Sequence, residues 1–242
     1  MEMQSIPYSD GSTALTGWAF TQDTKQKRPL VLVAHAWRGQ DAFAKRQAER
    51  LAELGFVGFA LDNYGNQEPI ADQEAPNWML PLFLDREALQ KRLAAGFDAA
   101  LNLPFVDPEN VGAIGFCFGG LCVLELLRSG KSVKGVVSFH PVISSEIAGH
   151  KAKEAKIHPQ AKGASLILYG HDDPLVNTDE LEKLEQEFSS LNIDWQVHVY
   201  GNTMHAFTNP GADNPIIGNK YNPISAKRAF TSMETFFKEK FT

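Results

Sequence analysis

The stretch Val111-Gly112-Ala113-Ile114-Gly115-Phe116-Cys117-Phe118-Gly119-Gly120-Leu121 decides the fold. Its first half is an apolar run suited to a strand buried on both faces. Its second half passes at once into a helical pattern, Leu121 to Leu127, that ends near Gly130. Between them Gly115-Phe116-Cys117-Phe118-Gly119 matches the turn G-x-S-x-G with cysteine in the serine position. Such a turn holds its central residue in a strained conformation, and the flanking glycines let strand and helix approach closely. The helix N-terminus then presents free backbone N–H groups to negative charge. A thiol ordinarily titrates near about pH 8.5 and reacts as the thiolate, which a helix N-terminus and a nearby imidazolium favour. Free cysteines also serve as small buried hydrophobes. That is the reading for Cys122 inside the helix, whereas the strand–turn–helix context marks Cys117 as a nucleophile.

Strand and helix alternate outward from this stretch. Upstream, Ser5 to Phe20 carries Asp10-Gly11 between two strand-like runs, which fits a hairpin. Leu30 to Ala34 and Phe56 to Leu61 read as buried strands, separated by a helix expected to bury Phe43, Ala48, Leu51 and Leu54 and to end at Gly55. From Gly65 to Pro81 the chain is rich in Pro, Asn and acids and reads as a long loop over one face, the kind that forms lids or substrate walls. A helix is expected from about Asp85 to Leu101. Downstream, strands are expected at Gly135–Phe139, Ser165–Tyr169 and Trp195–Tyr200. Helices are expected from about Thr178 to Leu191 and from Ser225 to Phe241. The pattern predicts an α/β fold in one domain spanning residues 1–242, with a mostly parallel central sheet and helices on both faces.

In an open α/β sheet the site lies beyond the carboxyl ends of the strands. Behind a nucleophile on such a turn, the acid and then the base are expected later in the chain. The strand Ser165–Tyr169 runs into Gly170-His171-Asp172-Asp173-Pro174, so Asp172 and Asp173 are both acid candidates there. An aspartate before proline is also a common turn former. The base candidate is His205, on the loop Gly201–Phe207 before the final helix. Of the seven histidines, His150 and His158 lie in a polar loop and His198 within a strand. His35, His140 and His171 each end a predicted strand and are expected at most to line the site. An oxyanion needs two donors. The backbone N–H of Phe118, next to the nucleophile, is one, and that of Trp37 in the loop His35-Ala36-Trp37-Arg38-Gly39 is the other.

Together these pieces resemble the dienelactone hydrolase family of the α/β-hydrolase superfamily. The resemblance runs from the strand at Leu30 to the terminal helix. It rests on Gly115-x-Cys117-x-Gly119-Gly120, on Gly170-x-x-Asp173-x-x-Val176 and on His205-x-Phe207, with Asp62-Asn63-Tyr64-Gly65 as a further segment near the site. It implies a triad of Cys117, Asp173 and His205, which selects Asp173 over Asp172. It also implies acyl transfer from a small ester or lactone through a thioester, with no cofactor or metal. Two positions depart from the family pattern. A glutamate that helps form the thiolate is replaced by Ala36, and an arginine that binds the substrate's carboxylate is replaced by Asn209. Arg38 and Arg86 are possible substitutes, both expected at the surface. The alternatives are a general carboxylesterase or thioesterase without dienelactone activity, and a catalytically silent binding protein on the same scaffold.

Composition fits this picture. The chain has 242 residues, 43% of them hydrophobic and 21% charged, with a net charge of −6. That charge argues against a nucleic-acid or anionic membrane partner and leaves a small-molecule substrate as the expected one. No apolar run approaches the ~20 residues of a membrane span, and Met1 to Gly11 lacks the pattern of a signal peptide. Two cysteines close together in one segment suit a reducing, cytoplasmic setting.

Overall fold

The computed structural model describes residues 1–66 and 68–241. Its elements, in chain order, are β1 (Glu2–Ser9), β2 (Ala14–Thr21), β3 (Arg28–Ala34), α1 (Ala42–Glu53), β4 (Val57–Ala60), α2 (Ala75–Leu84), α3 (Arg86–Leu101), β5 (Val106–Phe116) and α4 (Phe118–Arg128). They continue with β6 (Gly135–Phe139), β7 (Glu146–Ile147), β8 (His150–Lys151), β9 (Ala164–Gly170), α5 (Thr178–Ser190), β10 (Asp194–Tyr200), β11 (Asp213–Asn214), β12 (Asn219–Lys220) and α6 (Pro223–Lys240). Eight strands form one sheet in the order β1-β2-β4-β3-β5-β6-β9-β10. The β1–β2 hairpin and the β2–β4 pair are antiparallel and all other neighbours are parallel. The mostly parallel sheet expected from the apolar runs is therefore present.

Alternation along the central strands divides the core in two. On β3, Leu30, Leu32 and Ala34 join a cluster that takes in Phe83 of α2, Phe97 of α3, Leu126 of α4 and Phe188 of α5. Val31 and Val33 face the opposite way, toward Ala48 and Leu51 of α1 and Phe230 and Phe237 of α6. Central strands buried on both sides follow directly, because each face is covered by helices. At roughly 25 cal/mol per Å² of apolar area, this double burial is the main force holding the sheet.

Two expectations need correction. The Gly65–Pro81 loop is in part helical, since α2 begins at Ala75; its residue 67 lies outside the described residues. Pro76 sits in the first turn, where a missing N–H is harmless, and α2 tolerates Pro81 while burying Met79, Leu82 and Phe83. The buried face of α1 is Ala44, Gln47, Ala48, Leu51 and Ala52, whereas Leu54 is 41% exposed just past its end. Small alanines let α1 approach closely, and the carbonyl of Ala48 occupies the place where a Cβ on Gly58 would stand. Among the described residues no helix is long and apolar enough to cross a membrane.

Candidate active site

Because β3, β5, β6, β9 and β10 run the same way, the segments that follow them emerge along one edge of the sheet. Those segments carry Trp37, Cys117, His140, Asp173 and His205 respectively. Cys117 is the pivot between β5 and α4, with φ 57° and ψ −118°. A residue with a Cβ held there stores about 1–3 kcal/mol of backbone strain. Surrounding bonds hold the turn: the Cys117 N–H donates to the Phe139 carbonyl at 3.1 Å, and the Cys117 carbonyl accepts from Gly120 at 2.9 Å. Gly115 and Gly119 are required by space. A Cβ on Gly115 would run into the Gly119 carbonyl, and one on Gly119 into the carbonyls of Ala34 and His35.

His205 and Asp173 meet inside the protein. His205 Nδ1 lies 2.8 Å from Asp173 Oδ2, and the residues are 2% and 6% exposed. The second oxygen of Asp173 accepts from the Leu175 N–H at 2.9 Å. The ribbon β11–β12 holds the histidine from the other side: the His205 N–H donates to Gly218 and its carbonyl accepts from Lys220. Gly218 itself packs on Pro174, so the ribbon spans the loops of both residues. His205 Nε2 is buried and makes no hydrogen bond of normal geometry, and Cys117 is the group beside it whose charge matters most. Burial, the largest influence, works to lower the pKa of His205. Attraction to the nearby Cys117 side chain, the hydrogen bond to Asp173 and the charge of Asp173 outweigh it and raise the value to about 10. A protonated His205 beside Asp173 and Cys117 is the state this favours.

The remaining residues divide cleanly. Asp172 faces away, with its carboxylate 3.1 Å from the exposed His171, so neither joins the cluster. His35 is fully buried: its Nδ1 lies 2.7 Å from the Ala36 carbonyl and its Nε2 accepts from the Asn63 N–H at 3.1 Å. His140 is different. Held at φ 36°, it sets its ring edge-on to His205 at 5.1 Å, with Nε2 2.8 Å from the Thr208 hydroxyl. Burial first, and then the charge of His205, hold its pKa well below the usual histidine value. Trp37 is half-buried, and the Tyr64 hydroxyl fixes its peptide by donating to the Trp37 carbonyl at 3.1 Å. The Tyr64 ring in turn stacks on Phe118 at 6.4 Å. Among the described residues the N–H groups of Trp37 and Phe118 have no hydrogen-bond partner.

The sequence left His140 open and passed over the contributions of Thr208, Gly218 and the Tyr64 hydroxyl. For His140 a signal existed, since it ends the strand next to the one that carries Cys117. The arginines stand as follows. Arg38 is exposed, donates to the Ile70 carbonyl and pairs with Asp72. Arg86 is buried at 4% exposure rather than lying at the surface, because α3 begins there and its guanidinium stacks on Phe83 at 4.3 Å. The Asn209 side chain accepts from the Gly211 N–H in a local turn. Among the described residues no three His, Cys, Asp or Glu side chains gather as a metal site would require.

The dienelactone hydrolase family model matches residues 15–241. The carboxymethylenebutenolidase of Pseudomonas putida is 26% identical over 212 residues, covering 84% of each chain. The protein named usf of Aquifex pyrophilus is 26% identical over 245 residues, covering 99% of each. The crystal structure of a dienelactone hydrolase-like promiscuous phosphotriesterase from metagenomic libraries superposes with a TM-score of 0.90. It is 33% identical and is covered over 99% of its length by 100% of this chain. With its fold, its elbow and the match over nearly its whole length, the chain belongs to the dienelactone hydrolase family and is a hydrolase.

Proposed function

We propose that the protein hydrolyses a small ester or lactone through a thioester on Cys117, with His205 as acid–base and Asp173 orienting it. The observation that carries this reading is the buried line from Asp173 through His205 toward a strained Cys117 at a helix N-terminus. The Cys117 thiolate attacks the carbonyl carbon, and the oxyanion takes hydrogen bonds from the N–H groups of Phe118 and Trp37. Collapse breaks the ester C–O bond, and His205 gives its Nε2 proton to the departing alkoxide. Neutral His205 then takes a proton from water as the water attacks the thioester. The acid leaves, and the thiolate and imidazolium are restored. Asp173 keeps Nδ1 protonated throughout. Ala36 offers no carboxylate to assist the thiol, so the imidazolium itself stabilises the thiolate.

A neutral substrate fits better than an anionic dienelactone. Arg38 is engaged with Asp72, Asn209 is engaged in its own turn, and the half-buried Trp37, backed by the buried rings of Tyr64 and Phe118, supplies apolar surface on the loop after β3. The test is a comparison of kcat/KM for a neutral aryl ester and an anionic dienelactone, with acyl-enzyme trapped by acid quench and weighed by mass spectrometry. A neutral phosphotriester belongs in the panel, since the relative of 33% identity is described as a promiscuous phosphotriesterase. An adduct on Cys117 and a preference for the neutral ester are expected. Hydrolysis that survives Cys117→Ala would sink the nucleophile assignment, and a strong preference for the anion would sink the substrate assignment.

A further inference from the structure

Below the elbow, one stripe of α4 forms a wall of a cavity of about 260 Å³. Leu121, Leu124, Glu125 and Arg128 line it at spacings of three and four, the signature of a single helix face. Across from them stand Leu184 of α5 and Ile143 and Ala155 from the segment between β6 and β9, and Arg86 at the start of α3 also lines the cavity. The volume lies below the range usual for drug-sized ligands.

Among the described residues that line this cavity, Arg86 carries a buried side-chain donor with no hydrogen-bond partner. A guanidinium carries five N–H donors. Here Nη2 donates to the Ser144 carbonyl at 3.3 Å, while Nη1 is buried without a partner. A buried charge left in that state is costly, and burial holds the pKa of Arg86 below its usual value. Its charged neighbours are already engaged. Arg128 grips Glu187 through two bonds of 2.7 and 2.8 Å and Glu125 through one of 2.9 Å. The other oxygen of Glu125 accepts from Gln90, and Lys183 pairs with Glu180 at 3.0 Å. Glu154 is the exception, an exposed carboxylate at the cavity that opposes an incoming anion.

We propose that this cavity is a second site, separate from Cys117, that binds a small apolar carboxylate by its head on Arg86 and its hydrocarbon against Leu121, Leu124, Ile143 and Leu184. The planar fork of a guanidinium matches a carboxylate, and leucine and isoleucine walls match a hydrocarbon tail. A sugar or a phosphate dianion would leave several polar atoms unmet, since the other two cations at the cavity are already paired. The proposal does not rest on the chemistry assigned to Cys117.

Calorimetric titration of the full chain with benzoate, and with neutral benzamide as control, tests it. Saturable binding of benzoate and a much weaker response to benzamide are expected. Arg86→Gln should weaken benzoate by about 10- to 100-fold, the value of a charge-assisted hydrogen bond. Should Arg86→Gln fail to fold, Ala155→Phe, which fills the cavity from a half-exposed position, should abolish binding by itself. Glu154→Gln should tighten binding a few-fold. The proposal is overturned if benzoate does not saturate, if neither Arg86→Gln nor Ala155→Phe weakens it, or if benzoate inhibits neutral-ester hydrolysis purely competitively. The last result would put the ligand at Cys117.

Discussion

His140, on the segment after β6, and His205, on the loop after β10, bring their rings within 5.1 Å of each other inside the protein. Both are nearly sealed from water, at 2% exposure each. Burial drives both pKa values down, yet they end on opposite sides of the ordinary value. His205 has Asp173 and Cys117 beside it, and their interactions more than recover the cost of desolvating its charge. His140 has a hydroxyl, two aromatic neighbours and a cationic histidine. The lesson is that burial does not set the charge of a side chain; the partners it is buried with do. One consequence for the site is that a neutral ring, rather than a second cation, stands against the imidazolium.

Removing the partners of His205 should have the largest effect. Under the proposed mechanism Cys117→Ala is expected to lower kcat/KM for a neutral aryl ester by about 10⁴–10⁶, the loss that removal of a nucleophile brings. Cys117→Ser is the sharper probe of the comparison. It takes away the leading influence that raises His205, so the imidazole titration followed by NMR should move down from about 10. An unmoved titration would mean that Asp173 alone holds the proton. Asp173→Asn comes next, with an expected loss of about 10⁴ in kcat. Asp172→Asn should stay near wild type, because that carboxylate is exposed beside His171.

These residues were not equally legible. Cys117 announced itself because a strand–turn–helix elbow needs glycines at fixed offsets, and Gly115 and Gly119 stand where backbone carbonyls leave no room for a Cβ. The central strands were readable because burial on both faces demands unbroken apolar runs such as Leu30 to Ala34. Helix α2 was hidden by Pro76 and Pro81, whose local signal is that of a breaker while tertiary packing of Met79 and Phe83 prevails. The ribbon β11–β12 has two residues per strand, too short for any periodicity, yet it fixes the His205 backbone. Arg86 was misjudged because charge suggests surface, and no local pattern tells that α3 begins beneath the segment before β9.

Turning His140 into a cation should cost less than losing Cys117 or Asp173 but more than any neutral replacement. At about 5 Å and an effective dielectric of about 20, two unit charges repel by about 3 kcal/mol. His140→Lys should therefore lower kcat about 10²-fold by disfavouring the imidazolium, and it should move the alkaline limb of the rate profile below about 10. His140→Phe keeps a neutral ring against His205 and is expected to retain activity within a few-fold. Equal damage from Lys and Phe would point to the Thr208 bond, not to charge.

The smallest effect is on stability, and its sign follows from the same opposition. The folded pKa of His140 is lowered, so below about pH 6.5 the unfolded chain takes up a proton that the folded protein refuses. Stability is therefore lost as pH falls from about 6.5, and His35, also lowered by burial, adds to that loss. His205 behaves inversely: its raised pKa contributes stability that is complete below about 6.5 and disappears as pH rises toward about 10. Urea unfolding of wild type and His140→Phe between pH 5 and 7 separates the terms. The variant should lose stability less steeply in acid, by up to about 1.4 kcal/mol per pH unit, the value of one proton, with the rest of the slope left to His35 and, with opposite sign, to His205. An unchanged acid slope would show that His140 is protonated in the folded protein, and the opposition between the two rings would then collapse.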